Sequence, residues 1–202
     1  DRLRAVTPAA QLESTLAPIF GLQRDVYVAL AEGEDLEQLL QSAERLAARV
    51  SREIPALPMQ SPTALLPSGA AQAATAQRIR DAHLSPEAVR ESLDGAAESS
   101  GFRAGAFEAF ASRLPRLLDP AQRLTYEGYQ THGLGDLVRR FVVRDGNRWL
   151  AATYFFPTSP AQVEALEAVV RTVDSTVVLT GLPLVNRELS RRFLPQFGRG
   201  LA

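Results

Sequence analysis

Leu137-Val138-Arg139-Arg140-Phe141-Val142-Val143-Arg144-Asp145-Gly146-Asn147-Arg148-Trp149-Leu150-Ala151-Ala152-Thr153-Tyr154-Phe155-Phe156 reads as two strands joined by a tight turn. Asp-Gly-Asn is a strong hairpin signal, because glycine reaches the positive φ that a tight turn between twisted strands requires. β-branched and aromatic residues crowd both flanks, so Leu137–Arg144 and Arg148–Phe156 are expected to pair antiparallel.

Beyond the hairpin, Ser159-Pro160-Ala161-Gln162 reads as an N-cap, a first-position proline and a capping-box glutamine. It opens a helix with Val163, Leu166, Val169, Val170 and Val173 on one face, and a strand follows at Thr176–Thr180. Upstream, residues 25–31 are rich in strand formers. From Asp35 the positions Leu36, Leu39, Leu40, Ala43, Leu46, Ala47, Val50 and Ile54 keep the rhythm of one helix face, until Pro55 and Pro58 stop it. In order these are strand, helix, two hairpin strands, helix and strand: the split βαβ pattern of an α+β, ferredoxin-like sandwich. The expected sheet is four-stranded and antiparallel, built from residues 25–31, 137–144, 148–156 and 176–180.

Residues 61–136 read almost entirely as helix, with Ser85-Pro86-Glu87 opening one segment and Gly101 closing it, and so form a large helical insertion. Thr7-Pro8 opens a short helix carrying Leu12, Leu16, Ile19 and Phe20. Asn186 can cap a last helix over 186–202, with Leu189, Phe193, Phe197 and Leu201 along one side.

Hydrophobic residues make up 46% of the 202, charged residues 22%, and the net charge is −1, as in an ordinary folded soluble domain. Such a balance offers phosphate backbones no attracting field, so nucleic-acid binding is not expected. All 22 basic residues are arginine, a skew read most simply as coding bias. The absence of cysteine excludes disulfides, thiol catalysis and thiolate metal sites. No apolar run approaches the ~20 residues of a membrane span, and Asp1-Arg2-Leu3-Arg4 does not read as a signal peptide.

Catalytic constellations are not apparent. His83 and His132 lack a second ligand at metal spacing, Gly133-Leu134-Gly135 follows no strand, and there is no Gly-x-Ser-x-Gly elbow. Glu164 and Glu167 read as solvated helix charges. No enzymatic activity, metal or cofactor is therefore expected. The one series that stands out is Phe102, Phe107, Phe110, Leu114, Leu117 and Leu118, in a chain with 9 phenylalanines. It could line a path for a greasy substrate, with Phe102, Phe107, Phe110 and Leu114 as the candidate binding residues. The favoured reading is that it is the insertion's own core, the commoner fate of an apolar helix face.

Three stretches carry a resemblance: Leu3-Arg4-Ala5-Val6-Thr7-Pro8, then Leu65-Leu66-Pro67-Ser68 followed by Gln72, and Thr180-Gly181-Leu182-Pro183-Leu184-Val185-Asn186. With their order along the chain, they resemble an extracytoplasmic domain of exporters in the resistance-nodulation-division (RND) and MMPL superfamily, in its predicted-exporter branch. The resemblance implies a single porter-like domain, 1–202, of a proton-driven protein of the bacterial inner membrane, facing the periplasm, with 186–202 leading toward a transmembrane span. It implies a hydrophobic or lipid-like substrate, and as partners the transmembrane remainder of the same chain, with a homo-oligomer compatible. The family's proton-carrying acids lie in transmembrane helices, so none maps here. The alternative is a free-standing ferredoxin-like module that binds a ligand or regulates a partner.

Overall fold

The computed structural model describes residues 25–189, together with Leu12 and Arg191. Apart from Leu12, the short helix expected over Pro8–Phe20 lies outside those residues, as does most of the helix expected over 186–202. The fold is α+β. Two compact units divide the described residues: Leu66–Val138 forms one, and the described residues before and after it form the other.

The sheet unit begins with β1 (Tyr27–Gly33), whose alternating pattern buries Tyr27, Ala29 and Ala31. Asp35 then caps α1 (Leu36–Glu53), its carboxylate accepting from the backbone N–H of Glu37 at 2.8 Å and of Gln38 at 3.4 Å. The helix buries Leu39, Leu40, Ala43, Leu46 and Val50, and it ends just before Pro55, which could not continue its hydrogen bonding. After β2 (Met59–Gln60) and a short 3-10 turn (Pro62–Ala64) the chain leaves for the helical unit. It returns as β3 (Val142–Asp145), β4 (Arg148–Phe155), α8 (Pro160–Val173) and β5 (Val178–Thr180), followed by a helical stretch at 182–189.

The antiparallel sheet has 5 strands. One edge of β4 pairs with β1 along its length, from Tyr27 opposite Phe155 to Gly33 opposite Trp149. The other edge is shared, with β3 taking its start (Val142 opposite Ala151) and β2 its end (Met59 opposite Phe155). β5 lies against the free side of β1, giving the order β3-β4-β1-β5. One face carries the core, where Phe155, Leu166 and Val50 lose essentially all contact with water beside Tyr27, Leu46 and Val169.

The hairpin forms as its turn residues dictate: Asp145 faces Arg148 across a loop of Gly146 and Asn147, with Gly146 at φ +61°. Its first strand is shorter than expected. Residues 137–139 belong to a helix, α7 (Gly135–Arg139), and β3 starts only at Val142. The reason is in the side chains. A strand running back from Val142, which is fully buried, would turn Arg140 to the same inward face at a stiff cost in desolvation. Beyond the four expected strands, Met59–Gln60 adds a fifth, too short to show any alternation in sequence. The last strand begins at Val178, because Thr176 instead donates its N–H and hydroxyl to Asp174.

The helical unit contains α2 (Gly69–Asp81), α3 (Pro86–Ser99), α4 (Glu108–Ala111), α5 (Leu114–Leu117) and α6 (Tyr126–Thr131), and most of α7. Ser68, Ser85 and Thr125 cap α2, α3 and α6 by accepting from Ala71, Ala88 and Gly128 at 3.0, 3.1 and 3.0 Å. None of the described helices is long and apolar enough to cross a membrane.

Candidate functional site

The phenylalanine series occupies the turns and short helices of 101–118 in the helical unit. Backbone hydrogen bonds from Ala111 to Phe107, Ser112 to Glu108, Leu117 to Arg113 and Leu118 to Leu114 carry a helical coil through α4 and α5. Its inward side holds Ala111 and Leu114, the latter only 3% exposed. Phe102 meets Phe107 edge to face, with ring centroids 5.2 Å apart. Yet Phe102 is 56% exposed and Phe110 48%. The four candidate residues therefore divide: Leu114 is buried, Phe107 is half-buried, and Phe102 and Phe110 present their rings to solvent. Leu117 stands out beside them.

The motif residues flanking this segment have structural work. Gln72 donates to the carbonyls of Pro67 (2.9 Å) and Leu124 (3.0 Å) and accepts from the Leu124 N–H (2.8 Å), tying the start of α2 to the loop before α6. That accounts for a glutamine four residues after Ser68. The imidazole Nδ1 of His132 donates to the carbonyl of Gly128 at 2.7 Å, and that of His83 to Asp81 at 2.8 Å. Both histidines thus satisfy the ends of helices. No group of His, Cys, Asp and Glu suited to a metal ion occurs among the described residues.

In the sheet unit, Thr180-Gly181-Leu182-Pro183 makes a close turn at the end of β5. Gly181 has φ +150°, and a Cβ there would stand 2.6 Å from the carbonyl oxygen of Val26. Only glycine lets the chain pass so near the start of β1. The helical stretch that follows lays Leu184 on the core, and Arg187 donates to Glu167 of α8 at 2.6 Å, with Arg171 3.8 Å from the same carboxylate. Between α8, β5 and this stretch lies an open groove of about 450 Å³, lined by apolar Val170, Val177 and Leu184 and by Glu167, Arg171 and Arg187. Burial raises the Tyr27 phenol above its ordinary pKa and Asp25 adds to the rise, while Arg187 opposes it.

Sequence reasoning missed a polar tie between α1 and the end of α8. The buried Ser42 hydroxyl of α1 donates to Asp174 at 2.7 Å, just past α8. The Thr176 N–H, then Ser42 and the Thr176 hydroxyl, hold the Asp174 carboxyl below its ordinary pKa, with Arg45 assisting. The local half of this tie is legible, since Asp174-Ser175-Thr176 is an Asx-turn pattern. Its partner 132 positions away is not.

Compared with protein families, with curated proteins and with solved structures, the chain matches none of them.

Proposed function

We propose that the chain is an extracytoplasmic domain of an RND/MMPL-type exporter, placed on the periplasmic side of a bacterial inner membrane and acting in the capture and passage of a hydrophobic or lipid-like substrate. The observation that carries this reading is the strand order. Of the four principal strands, the first and third in sequence pair at the centre, the second lies outside the third and the fourth outside the first. Helices α1 and α8 make the two crossovers, which is the logic of a ferredoxin-like split βαβ unit. The helical unit enters between α1 and β3, where a porter-type domain would carry an elaboration for its substrate. The helical stretch after Gly181 displays Leu182, Val185 and Leu189 to solvent at near-helical spacing, as befits a segment that continues toward a membrane. Phe102, Phe107 and Phe110 are the substrate contacts in this reading, and Leu114 holds them in place.

The encoding gene provides the test. Hydrophobic spans of about 20 residues are expected immediately before Asp1 and soon after Ala202 in the full reading frame. A frame that lacks both sinks the exporter reading and leaves the free-standing binding or regulatory module.

A further inference from the structure

Large apolar side chains held in the open by a folded backbone mark a surface that something covers, and their company indicates what. Along the coil through α4 and α5, Phe110, Arg113 and Leu117 follow one another at i, i+3 and i+7, on the flank of the buried Leu114. Phe110 and Leu117 are 48% and 57% exposed, and Phe102 joins them at 56%. The guanidinium groups of Arg103, Arg113 and Arg116 have no hydrogen-bonded or ion-paired partner among the described residues. The acids nearby in sequence are already engaged: Glu108 pairs with Arg90 of α3, and Asp119 accepts from the Ala121 N–H at 2.9 Å. Segment 101–124 thus carries four arginines against two acids, within a chain whose net charge is −1.

We propose that this patch docks the chain peripherally on an anionic lipid bilayer, with Phe102, Phe110 and Leu117 entering the headgroup and acyl boundary while Arg103, Arg113 and Arg116 bind lipid phosphates. A bilayer surface offers an apolar layer and a phosphate layer within about 5–10 Å of each other, the separation that arginine stems bridge by snorkelling. Guanidinium groups hydrogen bond phosphate oxygens in pairs, which suits three arginines left without carboxylate partners. Three apolar side chains at about half exposure present an outward face, as contact with a bilayer surface requires. This inference does not depend on the exporter reading, because a free-standing chain would carry the same patch.

Flotation of the 202-residue protein with lipid vesicles is the test. Co-flotation is expected with equimolar phosphatidylcholine and phosphatidylglycerol, weakening as salt is raised, with little or none on phosphatidylcholine alone. Each arginine near such a surface contributes about fivefold, so Arg113→Glu with Arg116→Glu should reduce partitioning roughly twenty-fivefold or more. Phe110→Ser with Leu117→Ser should reduce it about tenfold or more. Both pairs sit on solvent-exposed positions, and unchanged thermal melting establishes that each variant is folded. Absence of co-flotation with the anionic vesicles, equal binding to both vesicle types, or full binding by either folded variant overturns the proposal. So does saturable binding of monomeric dodecyl phosphate without vesicle binding, which would assign the patch to a single amphiphile.

Discussion

The two units of this chain are packed on different terms. In the sheet unit, β1 and β4 alternate cleanly, and Val50, Phe155 and Leu166 are removed from water altogether. In the helical unit α3 buries no residue and α2 buries only Ala76, while Leu84, Phe102, Phe110, Leu117, Leu124 and Leu134 are exposed. The first unit derives its stability from a shared apolar core, the second from caps, the Gln72 clamp and a few buried residues, among them Leu66, Ala76, Ala111 and Leu114. Stability is not uniform where packing is not, so the amides of β1 and β4 are expected to exchange with solvent far more slowly than those of α3.

Phe155→Ala should be the most damaging single change, at about 3–5 kcal/mol, because it leaves a ring-sized void beneath both crossover helices. Trp149, the only tryptophan, is buried on β4 and reports this unit's denaturant melt by fluorescence. A loss under about 1 kcal/mol would dissolve the contrast between the units. The helical unit's counterpart is Leu114→Ala, expected at the lower end of about 2–5 kcal/mol, since a thin core can close over the gap. Hydrogen exchange of α3 and α5 would register it, and the comparison predicts no shift in the Trp149 signal.

Two glycines sharpen the same contrast. Gly181 meets the Val26 carbonyl at the edge of a dense sheet, whereas Gly133, at φ +72°, has open space around its missing Cβ. Gly181→Ala must move backbone and should cost about 1–3 kcal/mol, as overpacking does. Gly133→Ala meets only the conformational penalty and should cost about 1 kcal/mol. Equal losses in a pair of thermal melts would mean that the sheet edge yields as readily as the loop.

What sequence made legible follows the same division. The hairpin, α1 and α8 were readable because turn chemistry, caps and apolar period all act locally and agree. The start of β3 was misread because Leu137 and Val138 look like strand formers. Only the inward turn of Arg140 argues otherwise, and that depends on the register set at Val142 opposite Ala151. The candidate site was half legible. Spacing identified the phenylalanine series, but whether a ring on a short helix faces in or out depends on neighbours that no local pattern specifies. The Ser42–Asp174 tie was illegible for its length. It also carries a pH signature. The depressed carboxyl pKa stabilises the fold above the ordinary aspartate value of about 3.9, and that contribution disappears as pH falls through the lower folded value. Asp174→Asn should cost about 1 kcal/mol at neutral pH, the modest end for a charged acceptor still partly open to solvent. Its stability and that of the parent should converge at the acid end of a pH series of melts. A constant gap down to about pH 2 would show that the carboxylate charge contributes nothing.

The smallest expected effect tests the comparison most directly. Phe110 belongs by sequence to the same apolar series as Leu114, and a core reading of that series would assign its loss several kcal/mol. In the structure its ring is 48% exposed, and its backbone N–H is bonded to Phe107 whatever the side chain. Serine at this position removes little buried area and breaks no hydrogen bond, so Phe110→Ser should change stability by no more than about 0.5 kcal/mol. Hydrogen exchange across α4 and α5, together with the thermal midpoint, would measure it against Leu114→Ala. If the two losses are similar, the ring is buried in solution and the helical unit has a fuller core than its exposed residues imply. If Phe110→Ser melts like the parent while Leu114→Ala does not, the exposed ring contributes little to folding, and its place on the surface calls for a partner.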